Sequence, residues 1–68
     1  MASVTEKLGK KMQALRKTKR LSQEELAYQA KIDYSYLNQV EAGKRNISIK
    51  RLERIAKVLK VPLKELFE

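Results

Sequence analysis

The stretch "DYSYLNQVEAG", Asp33 to Gly43, carries Tyr34, Ser35, Asn38 and Gln39. These four side chains are uncharged, and each both donates and accepts hydrogen bonds. At about 100° per residue they share one side of a helix with Ala42, while Tyr36, Leu37 and Val40 fall on the other. Asp33 is a suitable N-cap and Gly43 a suitable left-handed terminator, so the residue types predict a short helix with both ends marked. An ordinary solvent face in a chain this rich in Lys and Glu would be charged. A neutral, directional face instead suits recognition of another molecule's polar edges, since amides and hydroxyls come close without the desolvation cost of a full charge.

Covalent chemistry is poorly supported. The chain has neither His nor Cys, which removes the commonest general base, the usual metal ligands and any disulfide. No Gly-rich phosphate loop or convergent carboxylate set is present, so we expect no enzyme, no metal, no cofactor and no small-molecule substrate. The 68 residues make one domain at most, predicted over residues 1–68, with a core of marginal size. No apolar run reaches signal-peptide or membrane-span length, and the expectation is a soluble, cytoplasmic protein with no membrane partner.

The charge balance points to a polyanion, nucleic acid or an anionic membrane surface. Sixteen Lys and Arg stand against eight Asp and Glu, a net +8. The surplus is uneven: residues 21–42 carry a net −3 and the remainder +11. The cations therefore flank the neutral face in sequence rather than lying within it. That distribution suits nucleic acid, whose backbone is gripped by cations beside the surface that is read.

Five helices are expected to position these groups. The first runs from the "SVTE" capping box to about Lys17, with Val4, Leu8, Met12 and Leu15 as its apolar stripe. Gly9 in its interior marks a point of close helix crossing. Ser22 and Glu25 repeat the box at the start of helix 2, about 23–30, where Leu26, Ala27 and Ala30 share a face. The three residues "KID" then force a tight turn into the third helix, about 34–42, a helix-turn-helix arrangement. After the basic loop "GKRNIS", Ser48 caps a fourth helix with Ile49, Leu52, Ile55, Ala56 and Leu59 on one stripe. Pro62 opens a fifth, "PLKELFE".

In this order, "LSQEELA", "YLNQVEAGKRN", "LERIA" and "LKELF" resemble the phage-repressor and Cro type of helix-turn-helix protein, the XRE family, over nearly the whole chain. The resemblance extends to the controller proteins of restriction–modification systems. It implies an all-α fold, a compact lambda-repressor-like five-helix bundle, acting as a double-stranded DNA-binding transcriptional regulator. Such a protein reads a pseudo-palindromic operator as a homodimer. Two positions depart from the family pattern: Lys31 where Gly is common in the turn, and Ile47 where Pro is common in the loop. A positive φ at Lys31 would cost about 1 kcal/mol.

The major groove, about 12 Å wide, accepts one helix, and its base edges offer donors, acceptors and methyl groups. Asn38 and Gln39 can bond adenine bidentately or adapt to guanine, Ser35 can bond either base type, and Tyr34 can bond or pack on a thymine methyl. By resemblance, Tyr34, Ser35, Asn38 and Gln39 are the base-reading positions. Gln23 is a phosphate contact at the helix 2 N-terminus and a buttress for Gln39, and Arg16 and Glu41 form a structural salt bridge. Lys44, Arg45 and Asn46 follow the recognition helix directly and are expected on phosphates, as are Lys17, ahead of helix 2, and Lys50, at the start of helix 4. Tyr36 is expected in the core with its hydroxyl at the rim, and Tyr28 is expected to cover helix 1. Val61, Leu63 and Phe67 are candidates for the dimer interface. The competing reading is an antitoxin or adaptor module whose main partner is another protein.

Overall fold

The computed structural model describes residues 3–68, so Met1 and Ala2 of the domain predicted over 1–68 lie outside the described residues. Four helices run in the order α1 Val4–Thr18, α2 Gln23–Ala30, α3 Tyr34–Glu41 and α4 Ile49–Leu59, followed by a 3-10 turn, Leu63–Phe67. No strand occurs among the described residues.

Each helix starts where a side chain satisfies its open N–H groups. The Ser3 hydroxyl accepts from the Glu6 N–H at 3.1 Å, and the Ser3 N–H donates to Glu6 Oε1 at 3.0 Å. Ser22 and Glu25 form the same reciprocal box, both bonds at 3.0 Å. Asp33 Oδ2 accepts from the Tyr36 N–H at 3.1 Å, and the Ser48 hydroxyl accepts from the Arg51 N–H at 3.2 Å. The ends are left-handed: Lys31 closes α2 at φ 57°, Lys60 closes α4 at φ 58°, and Gly43 follows α3 at φ 76°.

The core is one aliphatic cluster centred on the fully buried Met12, Leu26, Leu37, Leu52, Ile55 and Leu59. Helix α3 packs against α1 and α2, and α4 backs α2. Gly9 sets the crossing of α1 over α3. A Cβ there would lie 2.6 Å from the carbonyl oxygens of both Val40 and Glu41. Small residues serve the same end on α2, where Ala27 and Ala30 are buried.

Several expectations need correction. The fifth helix is a 3-10 turn, closed by Glu65 N–H to the Pro62 carbonyl at 3.0 Å. Five residues give too few i→i−4 bonds to offset helix nucleation, and burial of Leu66 holds the turn instead. Val4 and Ile49 head their apolar stripes but are 71% and 58% exposed, each as the first residue of its helix. Tyr28 covers nothing: at 85% exposure it stands on the face of α2 opposite the buried Leu26, Ala27 and Ala30.

Candidate nucleic-acid interface

Tyr34, Ser35 and Asn38 are exposed along α3, and Gln39 beside them is half-buried. The opposite face, Leu37 and Val40, is buried, which fixes the helix about its axis and turns the polar row outward.

Two hydrogen-bond systems hold this row. The first starts in the interior. Arg16 and Glu41 are both buried. Arg16 Nε donates to Glu41 Oε2 at 2.8 Å and Nη2 to Oε1 at 3.1 Å, while Nη1 donates to the Leu21 carbonyl at 2.8 Å. A guanidinium has the planar fork this requires, and an ammonium does not. Glu41 Oε1 also accepts from Gln23 Nε2 at 3.0 Å, and Gln23 Oε1 accepts from Asn38 Nδ2 at 3.1 Å. An unbroken chain thus runs from α1 through the end of α3 and the start of α2 to a side chain on the exposed row. In the free protein Gln23 meets Asn38, not Gln39.

The second system lies in the loop after α3. Arg45 Nη1 donates to Gln39 Oε1 at 3.2 Å, and its guanidinium sits 4.8 Å from the centre of the Tyr36 ring. Arg51 approaches the same ring at 5.3 Å. Cations over an aromatic face are attracted by the ring quadrupole. The Tyr36 hydroxyl donates to the Asn46 carbonyl at 2.8 Å, and Thr5 Oγ1 donates to Asn46 Oδ1 at 2.8 Å. Tyr36 is half-buried, and its ring bridges α3 and the basic loop.

The candidate residues therefore differ in setting. Gln23, Asn38, Gln39 and Arg45 converge on the outer face of α3. Lys44 is exposed in the loop, Lys17 near the end of α1 and Lys50 in the first turn of α4. Among the described residues the single ion pair is Arg16–Glu41, so no carboxylate bridge neutralises these lysines. Val61 and Leu63 are half-buried against the core and Phe67 is exposed. Thr5 and the clamp formed by Tyr36 escaped the sequence reading. Thr5 reaches Asn46 across 41 positions, and no local spacing announces such a contact. Among the described residues no group of three metal-ligating side chains occurs, and no helix is long and apolar enough to cross a membrane.

Comparison with known proteins gives the same picture at family level. A helix-turn-helix family profile matches residues 12–66. The control protein C.MunI from a Mycoplasma species is 43% identical over 68 residues, covering 98% of this chain and 92% of that protein. The crystal structure of the restriction–modification controller protein C.AhdI from Aeromonas hydrophila superposes with a TM-score of 0.90 at 40% identity, covering 93% of this chain and 96% of that one. The N-terminal DNA-binding domain of SinR from Bacillus subtilis superposes with a TM-score of 0.85 at 35% identity, covering 90% of each chain. SinR has also been solved in complex with DNA, with a TM-score of 0.86 at 35% identity, covering 90% of this chain and 98% of that one.

Proposed function

The chain belongs to the helix-turn-helix family, and from that premise we propose that it is a DNA-binding transcriptional regulator of the restriction–modification controller type. It is a binding protein acting in the cytoplasm, and it reads a pseudo-palindromic operator in the major groove as a homodimer. The observation that carries the reading is the uncharged row on α3, turned outward by its buried back face and met by the Arg45 guanidinium at Gln39.

Division of labour follows from chemistry. Tyr34, Ser35, Asn38 and Gln39 address base edges. Lys44, Asn46, Lys17 and Lys50 hold phosphates, which fixes register and supplies affinity without reading sequence. Gln23 adds a phosphate contact at the positive end of α2. Arg45 spans both sets, because its guanidinium lies on Gln39. One domain reads one half-site. Val61, Leu63 and Phe67 supply the two-fold contact that sets two α3 helices about 34 Å apart, one turn of DNA.

Selection of bound sites from random duplexes at about 0.15 M salt tests this. The expected result is a half-site repeated with inverted symmetry, lost in Gln39→Ala and Ser35→Ala. Binding without any preference, or tight capture of a second protein with no duplex binding, would remove the reading.

A further inference from the structure

Resting on the reading that α3 addresses base edges, we propose that Glu41 and Gln23 act as positioning residues that fix the donor–acceptor sense of Asn38. They thereby favour adenine, the one base whose major-groove edge offers a donor for Oδ1 and an acceptor for the remaining N–H.

A side-chain amide can be turned end for end at little cost unless its partners object. Here the innermost partner does. The Glu41 carboxylate, held on two sides by Arg16, can only accept hydrogen bonds. Gln23 must therefore turn its Nε2 toward Glu41 Oε1, at 3.0 Å. Reversed, it would set two acceptor oxygens against each other at that distance. With Nε2 committed inward, Gln23 presents Oε1 to Asn38. Asn38 must answer with Nδ2, at 3.1 Å, because its own oxygen there would again oppose an oxygen. The sense imposed by a buried ion pair is thus handed through two amides to the surface.

Asn38 is left with Oδ1 and one remaining N–H for an outside partner. Adenine matches both, its N6 amino group donating to Oδ1 and its N7 accepting the N–H. Cytosine N4 matches Oδ1 alone. Guanine offers only the acceptors N7 and O6 and thymine only O4, so either can take the remaining N–H but leaves Oδ1 without a donor. A free Asn can turn both N–H groups toward guanine N7 and O6, and with one held by Gln23 that option is removed. Gln39 lacks this anchoring. Its Oε1 is held by Arg45, an exposed side chain that a phosphate can draw away.

The test compares wild type, Asn38→Ala and Gln23→Met by selection from a duplex library. Met has nearly the length of Gln and no amide, and it leaves the Arg16–Glu41 bonds in place. Wild type is expected to select adenine at one position of each half-site, a preference that Asn38→Ala erases. Gln23→Met should admit guanine there, lowering discrimination about tenfold, with other positions unchanged. Wild-type choice of any base other than adenine at that position would overturn the proposal. So would a Gln23→Met profile of unchanged shape, weakened alike for all sequences, which would leave Gln23 as a phosphate contact only. A measurement without DNA separates the two layers. The side-chain NH₂ resonances of Asn38 should show a hydrogen-bonded shift in wild type that moves in Gln23→Met, while those of Gln39 stay. A free Asn38 amide in wild type overturns the relay. An intact relay in a protein that selects no sequence overturns the base assignment through the functional reading, not through the geometry.

Discussion

Arg16 and Glu41, 25 positions apart, meet through two bonds in the interior, Nε to Oε2 at 2.8 Å and Nη2 to Oε1 at 3.1 Å. The third arm of the guanidinium holds the Leu21 carbonyl at 2.8 Å. One side chain therefore joins α1, the approach to α2 and the end of α3. Arg16→Met strands a buried carboxylate and is expected to cost about 3–5 kcal/mol. That is most of the stability of a domain this small. Arg16→Lys should recover little, because one ammonium cannot reproduce the fork. Urea unfolding followed by circular dichroism measures both, and a loss under about 1 kcal/mol in Arg16→Met would refute the structural role assigned to the pair.

Gly9 is the contact point between α1 and α3. Gly9→Ala drives a methyl group into the Val40 and Glu41 carbonyls, 2.6 Å away. The usual helix-propensity gain of about 1 kcal/mol from Gly to Ala is expected to reverse into a net loss of about 1–3 kcal/mol. A higher thermal midpoint in the variant would show that the crossing can open without cost.

Lys31 closes α2 at φ 57° and ψ 48°, a conformation that suits Gly better than Lys. Lys31→Gly should therefore stabilise the fold by about 1 kcal/mol. For a domain of this size that is roughly 4–8 °C in melting temperature. The same change at Lys60, φ 58°, should act in the same direction. Since neither residue lies on the α3 row, the selected DNA sequence should not change. A shifted site preference in Lys31→Gly would mean that the turn, and not only α3, sets docking.

Lys44 and Arg45 are neighbours with different expected signatures. Lys44→Ala should weaken binding to all sequences alike and shallow the salt slope by about one unit. Arg45→Ala should do that and also alter discrimination at the base proposed for Gln39, whose Oε1 loses its 3.2 Å partner. Salt titrations on the selected site and on one substituted at that base pair distinguish the two. Identical behaviour of the variants would return Arg45 to a pure phosphate role.

Glu6 predicts an acid-sensitive N-terminus. Its carboxyl lies below the ordinary value of 4.5, first because the Ser3 backbone N–H donates to it and second through the Ser3 hydroxyl. A group whose folded pKa is depressed adds stability in full above its unfolded pKa and loses it as pH falls through the folded value. The contribution should therefore be intact at neutral pH and fade below about pH 4.5. Glu6→Gln keeps an acceptor oxygen but not the titration, so its urea midpoint should fall less than that of wild type between about pH 6 and pH 3. Parallel curves for the two proteins would exclude Glu6 as a contributor.

What the sequence disclosed was local. Ser3 with Glu6, Ser22 with Glu25, Asp33 and Ser48 mark helix starts because a cap and its partner lie within one turn, and all four form as spacing suggests. The buried faces of α2 and α3 were legible because their apolar residues recur at helical spacing. Val4 and Ile49 were misjudged for a physical reason: periodicity gives the side of a helix but not how far its neighbour extends along it. The outward row on α3 was visible as a composition anomaly, but its internal order was not. Gln23 lies 18 positions from Glu41 and 15 from Asn38. Those contacts exist only once α2 is laid against α3.

The Tyr36 ring, with one arginine at 4.8 Å and a second at 5.3 Å, bears on how such proteins could be re-engineered. The segment 44–46 invites transplantation between relatives as a portable set of charges. Its orientation, however, is borrowed from an aromatic ring in the preceding helix and from Thr5 in the first. A graft that carries the segment without those two supports would move the cations and leave their aim behind.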